Sequence, residues 1–331
     1  MTDVIAGTRT AHEILAWGKT VVEPELRAAA GQLPPSMRPI AWHHFGWADG
    51  AGSGKALRPV LTLLSARAVG ARPEAALPGA VAVELVHNFS LVHDDVMDGD
   101  GTRRHRATVW RVFGSGPAIL AGDAMLALAA RLLSGAPGQL HALMTAVLEL
   151  IEGQSADLEF EDRDEVAVAE CRAMAAGKTG ALLGCACALG ALAGGADPGR
   201  LSHLRCFGAE LGLAFQFVDD LLGIWGEPAV TGKPVFSDLR NRKKTLPVVA
   251  ALASDTDAGR ELATLYRGEL SGTQLARAAE LVDLAGGRAW AQACADELMA
   301  RALRHLRAAD PEPGARAELE TLARFVARRD R

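Results

Sequence analysis

The chain has 331 residues, of which 49% are hydrophobic, 5% are aromatic and 23% are charged, and its net charge at pH 7 is −5. This length suffices for one large domain or two, and the negative charge argues against a general nucleic-acid surface, so we expect no nucleic-acid partner. Abundant alanine and scarce β-branched alternation favour an all-helical chain.

The amino terminus has no basic region followed by an apolar core, so no signal peptide is indicated. The tract 179–196 has no charge over 18 residues, but it is mostly Ala, Gly and Cys. Such weak hydrophobicity predicts a closely packed buried helix rather than a membrane span. The five cysteines fit no zinc spacing and indicate reduced thiols. We therefore expect a cytoplasmic protein without stable membrane insertion.

The first basic motif is Gly54–Pro59 (GKALRP), in which two cations lie three positions apart before a proline. Lys55 and Arg58 are candidate ligands for an anion. The segment lacks the GxxxxGK[ST] spacing of a nucleotide-binding loop, so a nucleotide site is only weakly indicated.

An acidic cluster follows at Leu91–Asp98 (LVHDDVMD), inside an apolar run. On a helix, His87, Asp94 and Asp98 fall within roughly 40° of one another, and Asp95 lies at the edge of that face. Adjacent carboxylates in such a run are costly to bury unless their charge is cancelled. Because carboxylate oxygens suit magnesium, the cluster predicts divalent metal ions.

A second acidic cluster, Phe215–Leu222 (FQFVDDLL), lies about 125 positions further along. Gln216, Asp219, Asp220 and Gly223 follow i, i+3, i+4, i+7 spacing, so they form one stripe on a helix. Two solvated acidic helix ends would be the simpler interpretation. We favour two clusters facing one cavity, because both lie in apolar stretches and basic motifs recur around them.

Those basic motifs are Thr102–Arg106, Lys178–Gly180, Gly232–Pro234 and Asp238–Pro247. Cations beside acids could simply pair with them. However, a diphosphate site needs both kinds of residue. Carboxylates bind the metal ions, and Lys and Arg, which do not bind metals, contact the diphosphate directly.

These motifs, taken in order from Gly54 to Pro247, resemble the polyprenyl synthetase family of trans-isoprenyl diphosphate synthases. GKALRP is similar to the family's GGKxxRP, HNFSLVHDDVMD to its HxxSLxHDDxxD, and RRHRAT to its RRG[KR]PT. The resemblance implies an all-α, single-domain isoprenoid synthase fold over 1–331, with about ten or more helices around a central active-site cavity. It also implies a homodimer.

The resemblance further implies that isopentenyl diphosphate condenses with an allylic diphosphate, with three magnesium ions per active site. The implied metal ligands are Asp94, Asp95, Asp98, Asp219 and Asp220. The implied ligands of isopentenyl diphosphate are Lys55, Arg58, His87 and Arg104. Those that neutralise the allylic diphosphate are Arg103, Lys178, Lys233 and Lys243. The oxygen dipoles near Thr179 and Gln216 would shield the allylic cation, and these two residues join Asp94, Asp95, Lys178 and Asp219 as the catalytic set.

One departure from the family pattern is Gly223, which stands where the second cluster usually ends in an acid. Metal binding there is expected to be weaker, or completed by water. With Glu227, this stretch also resembles the [ND]DxxSxxxE motif of class I terpene cyclases. A cyclase is the less favoured alternative, because a one-substrate enzyme does not need Lys55, Arg58 and His87. A non-catalytic partner subunit is disfavoured because the first acidic cluster and the basic motifs are intact.

The product length is expected to depend on the residues that precede Asp94 on the same helix. Ser90, one turn below, is small and leaves space, whereas Phe89 lies on a neighbouring face. This pattern resembles geranylgeranyl-forming members with one upstream aromatic. We therefore predict a C20 product, with farnesyl diphosphate as the next alternative.

Overall fold

The structure is a computed structural model, and it describes residues 9–48, 54–228, 234–268 and 270–327. The described residues form sixteen α-helices, one 3₁₀ turn, one π-helical turn and one two-stranded hairpin, which confirms the all-helical prediction. In chain order the helices are α1 (Ala11–Ala30), α2 (Arg38–Phe45), α3 (Leu57–Ala68), α4 (Leu77–Met97), α5 (Val109–Phe113), α6 (Ser115–Leu132), α7 (Pro137–Asp162), α8 (Val168–Ala175), α9 (Ala181–Ala193), α10 (Pro198–Trp225), α11 (Ser237–Arg240), α12 (Leu246–Leu252), α13 (Asp257–Leu265), α14 (Thr273–Leu284), α15 (Gly287–Ala308) and α16 (Pro313–Ala327).

The short elements lie between these helices. The 3₁₀ turn (Pro73–Ala76) leads into α4, and the π turn (Ala176–Gly180) joins α8 to α9. The hairpin pairs β1 (Thr102–Arg103) with β2 (Arg106–Ala107) in antiparallel register.

Two helical stretches of the described chain, Pro73–Met97 and Val168–Ala193, are long and apolar enough to cross a membrane. In each, 72% of the scored window is buried inside the protein. Core helices of soluble proteins pass the same test, so the finding is weak evidence for a membrane span. The buried helix predicted within 179–196 is confirmed, since α9 is buried along most of its length.

The chain divides into two compact units. The first unit comprises Met1–Val147, Cys185–Arg205 and Leu306–Leu322, and the second comprises Leu148–Gly184, Cys206–His305 and Ala323–Arg331.

In the first unit, glycines let the helices approach closely. A Cβ atom on Gly18 would lie 2.1 Å from Val60 Cγ2, so α1 packs directly on α3. A Cβ atom on Gly190 of α9 would lie 2.0 Å from the backbone carbonyl oxygen of Thr62. Any side chain at either position would need to push the helices apart.

In the second unit, two apolar clusters form the core. The first cluster surrounds the fully buried Phe217 of α10, and residues of α8, α12 and α15 pack against it. The second surrounds Ile224, at the end of the same helix, and includes Leu239 of α11 and residues of α12 to α14. The end of α10 is therefore held on both sides by apolar packing.

Gly190→Ala should destabilise the protein by about 1–3 kcal/mol, because the added methyl group would meet a backbone oxygen that cannot rotate away. Chemical denaturation measures the change. Gly138→Ala, in α7 with no atom within 4 Å of the added Cβ, is the matched control and should stay within about 0.5 kcal/mol of wild type. Equal stability of the two variants would contradict the close approach of α3 and α9.

Candidate functional site

The first acidic cluster lies at the carboxyl end of α4. Asp94 is partly buried, and Asp98 is the exposed C-cap residue, whose backbone N–H donates to the Asp94 carbonyl oxygen at 2.8 Å. The last turn of α4 carries no basic residue. Carboxylates therefore add to the negative end of the helix dipole, and this charge favours a bound cation.

Asp95, beside them, is 1% exposed. Its Oδ1 accepts a hydrogen bond from Arg103 Nε at 2.7 Å, and its buried Oδ2 has no hydrogen-bond partner among the described residues. Burial raises the pKa of this carboxyl, and Arg103 opposes the rise. A buried carboxylate oxygen without a donor fits a hard cation or a water bound to one.

Arg103 belongs to the hairpin that follows α4. The two turn residues, Arg104 and His105, have φ angles of 52° and 62°. Hairpin turns of this kind favour glycine, which agrees with the family glycine at position 105. Arg104 Nη2 would lie 2.6 Å from a Cβ on Gly54, so its guanidinium covers that glycine.

The hairpin closes a cavity of about 210 Å³ in the first unit. Its lining residues are His43, His44, Gly54, Asp95, Arg103, Arg104, Arg106, Ala107, Thr108 and Val109. With three arginines and one carboxylate, the cavity suits an anion that bears several charges.

His43 and His44, which the sequence analysis did not select, contribute to this cavity. His43 Nε2 lies 2.9 Å from the Ala107 carbonyl oxygen, and His44 Nε2 lies 2.9 Å from Asn88 Oδ1. Burial, together with the charges of Arg104 and Arg103, lowers the pKa of His44 to about 3, although the hydrogen bond with Asn88 opposes the shift. His44 is therefore neutral at pH 7. No metal-ligand or catalytic spacing in the sequence marks either histidine.

The predicted anion ligands Arg58 and His87 do not line the cavity, but both interact electrostatically with Arg104, which does. Burial lowers the pKa of Arg58 to about 10, while Glu84 opposes that shift and Arg104 adds to it. His87 has a pKa well below its ordinary value, first through burial and then through Arg58 and Arg104. His87 is thus a neutral hydrogen-bonding group among cations.

Glu84 is a buried counter-charge that the sequence analysis missed. It is 6% exposed, and Asn88 Nδ2 donates to its Oε1 at 3.3 Å. Burial raises its pKa, while Arg58, Asn88 and Arg104 oppose the rise. The available signal was an acid three residues before His87 in an otherwise apolar run.

The second acidic cluster, on α10, separates into one exposed and one buried carboxyl group. Asp219 is exposed, whereas Asp220 is 7% exposed. Asp220 accepts hydrogen bonds from the Leu246 backbone N–H at 2.9 Å and from Gln216 Nε2 at 2.7 Å. Burial raises the pKa of Asp220 to about 7, and Asp238 and Asp219 contribute to the rise.

Gln216 links this cluster to the π turn. Thr179 Oγ1 donates to Gln216 Oε1 at 2.7 Å, so Thr179, Gln216 and Asp220 form one chain of hydrogen bonds. A Cβ on Gly153 of α7 would lie 2.4 Å from the Lys178 backbone nitrogen. This close approach holds the π turn against α7, and π turns of this kind are frequent at functional sites.

Lys178, in the π turn, forms an ion pair with Asp157 of α7, with Nζ and Oδ2 2.5 Å apart. No sequence motif marks Asp157, although it lies one helical turn after Gly153 on the same face. Lys55 and Lys243 are exposed. Lys233 lies outside the described residues.

Among the described residues, no group of three His, Cys, Asp or Glu side chains forms a ready-made metal centre. The acids at the end of α4 nevertheless fit magnesium, which retains several waters and uses few protein ligands.

The comparisons with known proteins agree with this geometry. The family model described as Polyprenyl synthetase matches residues 50–282. The (2E,6E)-farnesyl diphosphate synthase of Mycobacterium tuberculosis is 47% identical and covers 96% of this chain and 93% of its own length. The geranylgeranyl diphosphate synthase of the same organism is also 47% identical, with coverages of 93% and 91%. The crystal structure of a polyprenyl synthetase from Streptomyces coelicolor A3(2) is similar, with a TM-score of 0.90, 47% identity and coverages of 95% and 98%.

Glu84→Gln should change how stability depends on pH. The buried Glu84 keeps its proton where the unfolded chain has lost it, because its folded pKa is raised above 4.5. The wild type therefore loses stability as the pH rises from about 4 through that raised pKa, and the Gln variant does not suffer this loss. The free energy of unfolding of the variant relative to wild type should increase as the pH rises from about 4 to the raised folded pKa of Glu84, and it should stay constant above that pKa.

Denaturant titrations at several pH values measure this difference. The exposed Glu74→Gln is the matched control. A flat difference for Glu84→Gln would show that Glu84 is not desolvated.

Proposed function

The chain belongs to the polyprenyl synthetase family, and we propose that it elongates allylic diphosphates with isopentenyl diphosphate to geranylgeranyl diphosphate (C20). It is a prenyl diphosphate synthase, a transferase, of the short-chain trans-prenyltransferase type. Isopentenyl diphosphate and allylic diphosphates are the substrates of this family. The observation that carries the proposal is the pairing of an arginine-lined cavity with the acidic end of α4 in one compact unit.

We infer that Lys55, Arg58, His87 and Arg104 hold the diphosphate of isopentenyl diphosphate. Two observations support this. Arg104 covers Gly54 beside Lys55, and Arg58 shares the buried charge network of Glu84 with Arg104. The neutral His87 can donate a hydrogen bond to a phosphate oxygen without adding to the repulsion among the cations.

The allylic diphosphate is assigned to the acidic clusters and their neighbouring cations. The proposed metal ligands are Asp94, Asp95, Asp98, Asp219 and Asp220, for three magnesium ions. The proposed cations are Arg103, Lys178, Lys233 and Lys243. Bound magnesium supplies positive charge that stabilises the departing diphosphate more than the intact ester. Arg103 is oriented for this role by its hydrogen bond to Asp95, and Lys178 by its ion pair with Asp157.

Cleavage of the allylic carbon–oxygen bond leaves a carbocation, which the oxygens near Thr179 and Gln216 stabilise. Their hydrogen bond, and that of Gln216 to Asp220, fixes the orientation of both side chains. The double bond of isopentenyl diphosphate then attacks the cation. Loss of a proton to the released diphosphate completes a product one five-carbon unit longer.

The C20 product is supported by the residues below Asp94 on α4. Ser90 is buried, and its Oγ donates to the His87 carbonyl oxygen at 2.9 Å, so its side chain stays close to the helix. Phe89 packs edge-on against His93, with ring centroids 4.8 Å apart. His93 in turn contacts Gly122 of α6. The Phe89 ring is thereby held through His93 on the side of α4 that faces α6, which is a different face from that of Ser90.

Farnesyl diphosphate is the second candidate product, because the farnesyl-forming relative is as identical to this chain as the geranylgeranyl-forming one. The cyclase alternative is weakened by Glu227, which lies two residues beyond the end of α10 and off the helix that carries Asp219. The non-catalytic subunit is disfavoured by the acids and cations described above.

We also propose that the whole chain is a single isoprenoid synthase domain in the cytoplasm, without membrane insertion, and that it forms a homodimer. Ile119 and Leu120 of α6 are 44% and 57% exposed, and Val112 of α5 is 50% exposed. An apolar surface of this kind supports helix-to-helix packing against a second copy.

The first experiment is a product assay with magnesium, isopentenyl diphosphate and dimethylallyl, geranyl or farnesyl diphosphate. A linear C20 diphosphate is expected, and Asp94→Ala should lower turnover by at least about 100-fold because metal charge is lost. The exposed Asp283→Ala is the control and should be unaffected. A cyclic hydrocarbon formed without isopentenyl diphosphate, or retained turnover in Asp94→Ala, would refute the proposal.

Ser90→Phe should shorten the product from C20 to C15, because a ring one turn below Asp94 fills the space for the growing tail. If the phenylalanine ring prevents Ser90→Phe from folding, the smaller substitution Ser90→Leu replaces it in the test. The exposed Ser134→Phe is the control. Product chain lengths are read by mass spectrometry. An unchanged product from folded Ser90 variants would show that the tail lies elsewhere.

A further inference from the structure

Two adjacent lysines in the segment between α11 and α12 lie in different environments. Lys243 is exposed, whereas Lys244 is partly buried, and its Nζ donates to the backbone carbonyl oxygen of Phe160. That oxygen belongs to the last four residues of α7, whose carbonyl groups lack a partner within the helix. The ammonium group of Lys244 therefore binds the negative end of α7.

Lys244 is also fixed through its backbone. Its carbonyl oxygen accepts a hydrogen bond from Sγ of Cys171, on α8, at 3.3 Å. Cys171 is fully buried, and burial raises the pKa of its thiol, so Sγ keeps the proton that it donates. Lys244 is thus held on two sides, by α7 through its side chain and by α8 through its carbonyl group.

The amino side of the segment ends α11 in a Schellman motif. The Lys243 N–H donates to the Asp238 carbonyl oxygen at 2.9 Å. The Arg242 N–H donates to the Leu239 carbonyl oxygen at 3.0 Å. Arg242 takes the left-handed position of the motif, with a φ of 50°, where glycine is usual. A side chain is unfavourable there, so contacts around the segment must enforce this turn.

The segment is therefore bound by α11 on its amino side and by α7 and α8 at Lys244, and Leu246 after it donates to Asp220 of α10. Lys243, a proposed ligand of the allylic diphosphate, lies between these attachments. We propose that Lys244 is a positioning residue, which holds the segment on α7 and α8 and so presents Lys243 to the allylic diphosphate. This inference rests on the proposed function. The two lysines then have different tasks, although they are neighbours with the same charge.

The test is the steady-state kinetics of prenyl transfer, with each substrate varied in turn. Lys244→Met removes the charge but keeps a long side chain, and it should raise the KM for the allylic diphosphate by about 10- to 100-fold, because Lys243 is displaced. The KM for isopentenyl diphosphate should stay within about two-fold of wild type, since its proposed ligands lie in the first unit.

Two further variants frame this result. Lys244→Arg should keep the KM for the allylic diphosphate near that of wild type, because a guanidinium group can also donate to a carbonyl oxygen. Lys19→Met is the matched control, the same substitution at a partly buried lysine of α1, and should leave both KM values unchanged.

A double-mutant cycle separates positioning from a general loss of structure. Lys243→Ala should raise the same KM, and Lys244→Met added to it should raise that KM by no more than about a further two-fold, because Lys244 acts through Lys243. Hydrogen-exchange mass spectrometry should show faster exchange of the Lys243 and Leu246 amides in Lys244→Met than in wild type. Circular dichroism melts establish which variants are folded. If Lys244→Met does not fold, Cys171→Ala releases the Lys244 carbonyl group instead and takes its place in the cycle, with a smaller rise in KM.

A wild-type KM for the allylic diphosphate in folded Lys244→Met would overturn the inference. An equal rise in both KM values, unchanged amide exchange, or effects of the two lysine variants that multiply would also overturn it. The product assay on the wild type tests the proposed function separately. A wild type that makes no prenyl diphosphate would overturn the proposed function and with it the role of Lys243, whereas an active wild type with uncoupled lysine variants would overturn only the role of Lys244.

Discussion

Like charges brought together away from water must be neutralised, and this requirement shapes both the acidic end of α4 and the arginine-lined cavity. The acids of α4 lie at the negative end of their helix, whose last turn has no basic side chain. Arg103 pairs with Asp95 Oδ1, and the buried Oδ2 of Asp95 has no hydrogen-bond donor among the described residues. A buried carboxylate oxygen of this kind is satisfied by a metal ion or by a water bound to one.

In the arginine-lined cavity, positive rather than negative charges lie close together. The cavity is lined by Arg103, Arg104 and Arg106. The buried Glu84 interacts electrostatically with Arg58 and Arg104 and compensates part of their charge. His44 and His87 remain neutral there, first because they are buried and then because the neighbouring arginines repel a further positive charge. Cations are thus held close together in the absence of substrate, and a bound diphosphate relieves their mutual repulsion.

Helix spacing allowed much of this to be predicted, since i, i+3 and i+4 relations are local. The stripe of Gln216 with Asp219 lies on α10 as expected, whereas Asp94 lies in the last turn of α4 and Asp98 is the C-cap residue that follows it. The outcome of packing was not predictable in the same way. Which carboxyl of each pair is buried depends on partners far along the chain, such as Leu246 for Asp220.

Long-range pairing also explains the residues that sequence reasoning missed. His43 and Asp157 acquire their roles only when α2 meets the hairpin and α7 meets the π turn. The sequence indicates the loss of a ligand at Gly223, because no local pattern reveals that α11 brings the Asp238 carboxylate next to it. The family resemblance supplied the chemistry, whereas these partners required three-dimensional structure.

The π turn at Ala176–Gly180 has a consequence for how this chain can vary in length. A π turn contains one residue more than the α-helical turn it replaces. Deleting one residue there would let α8 and α9 join as an uninterrupted α-helix, and the later positions of α9 would keep nearly the same orientation, because the π turn already absorbs the extra residue. Gly190 would therefore still face Thr62. A one-residue deletion in this turn would consequently change how Lys178 and Thr179 are presented rather than how α9 packs.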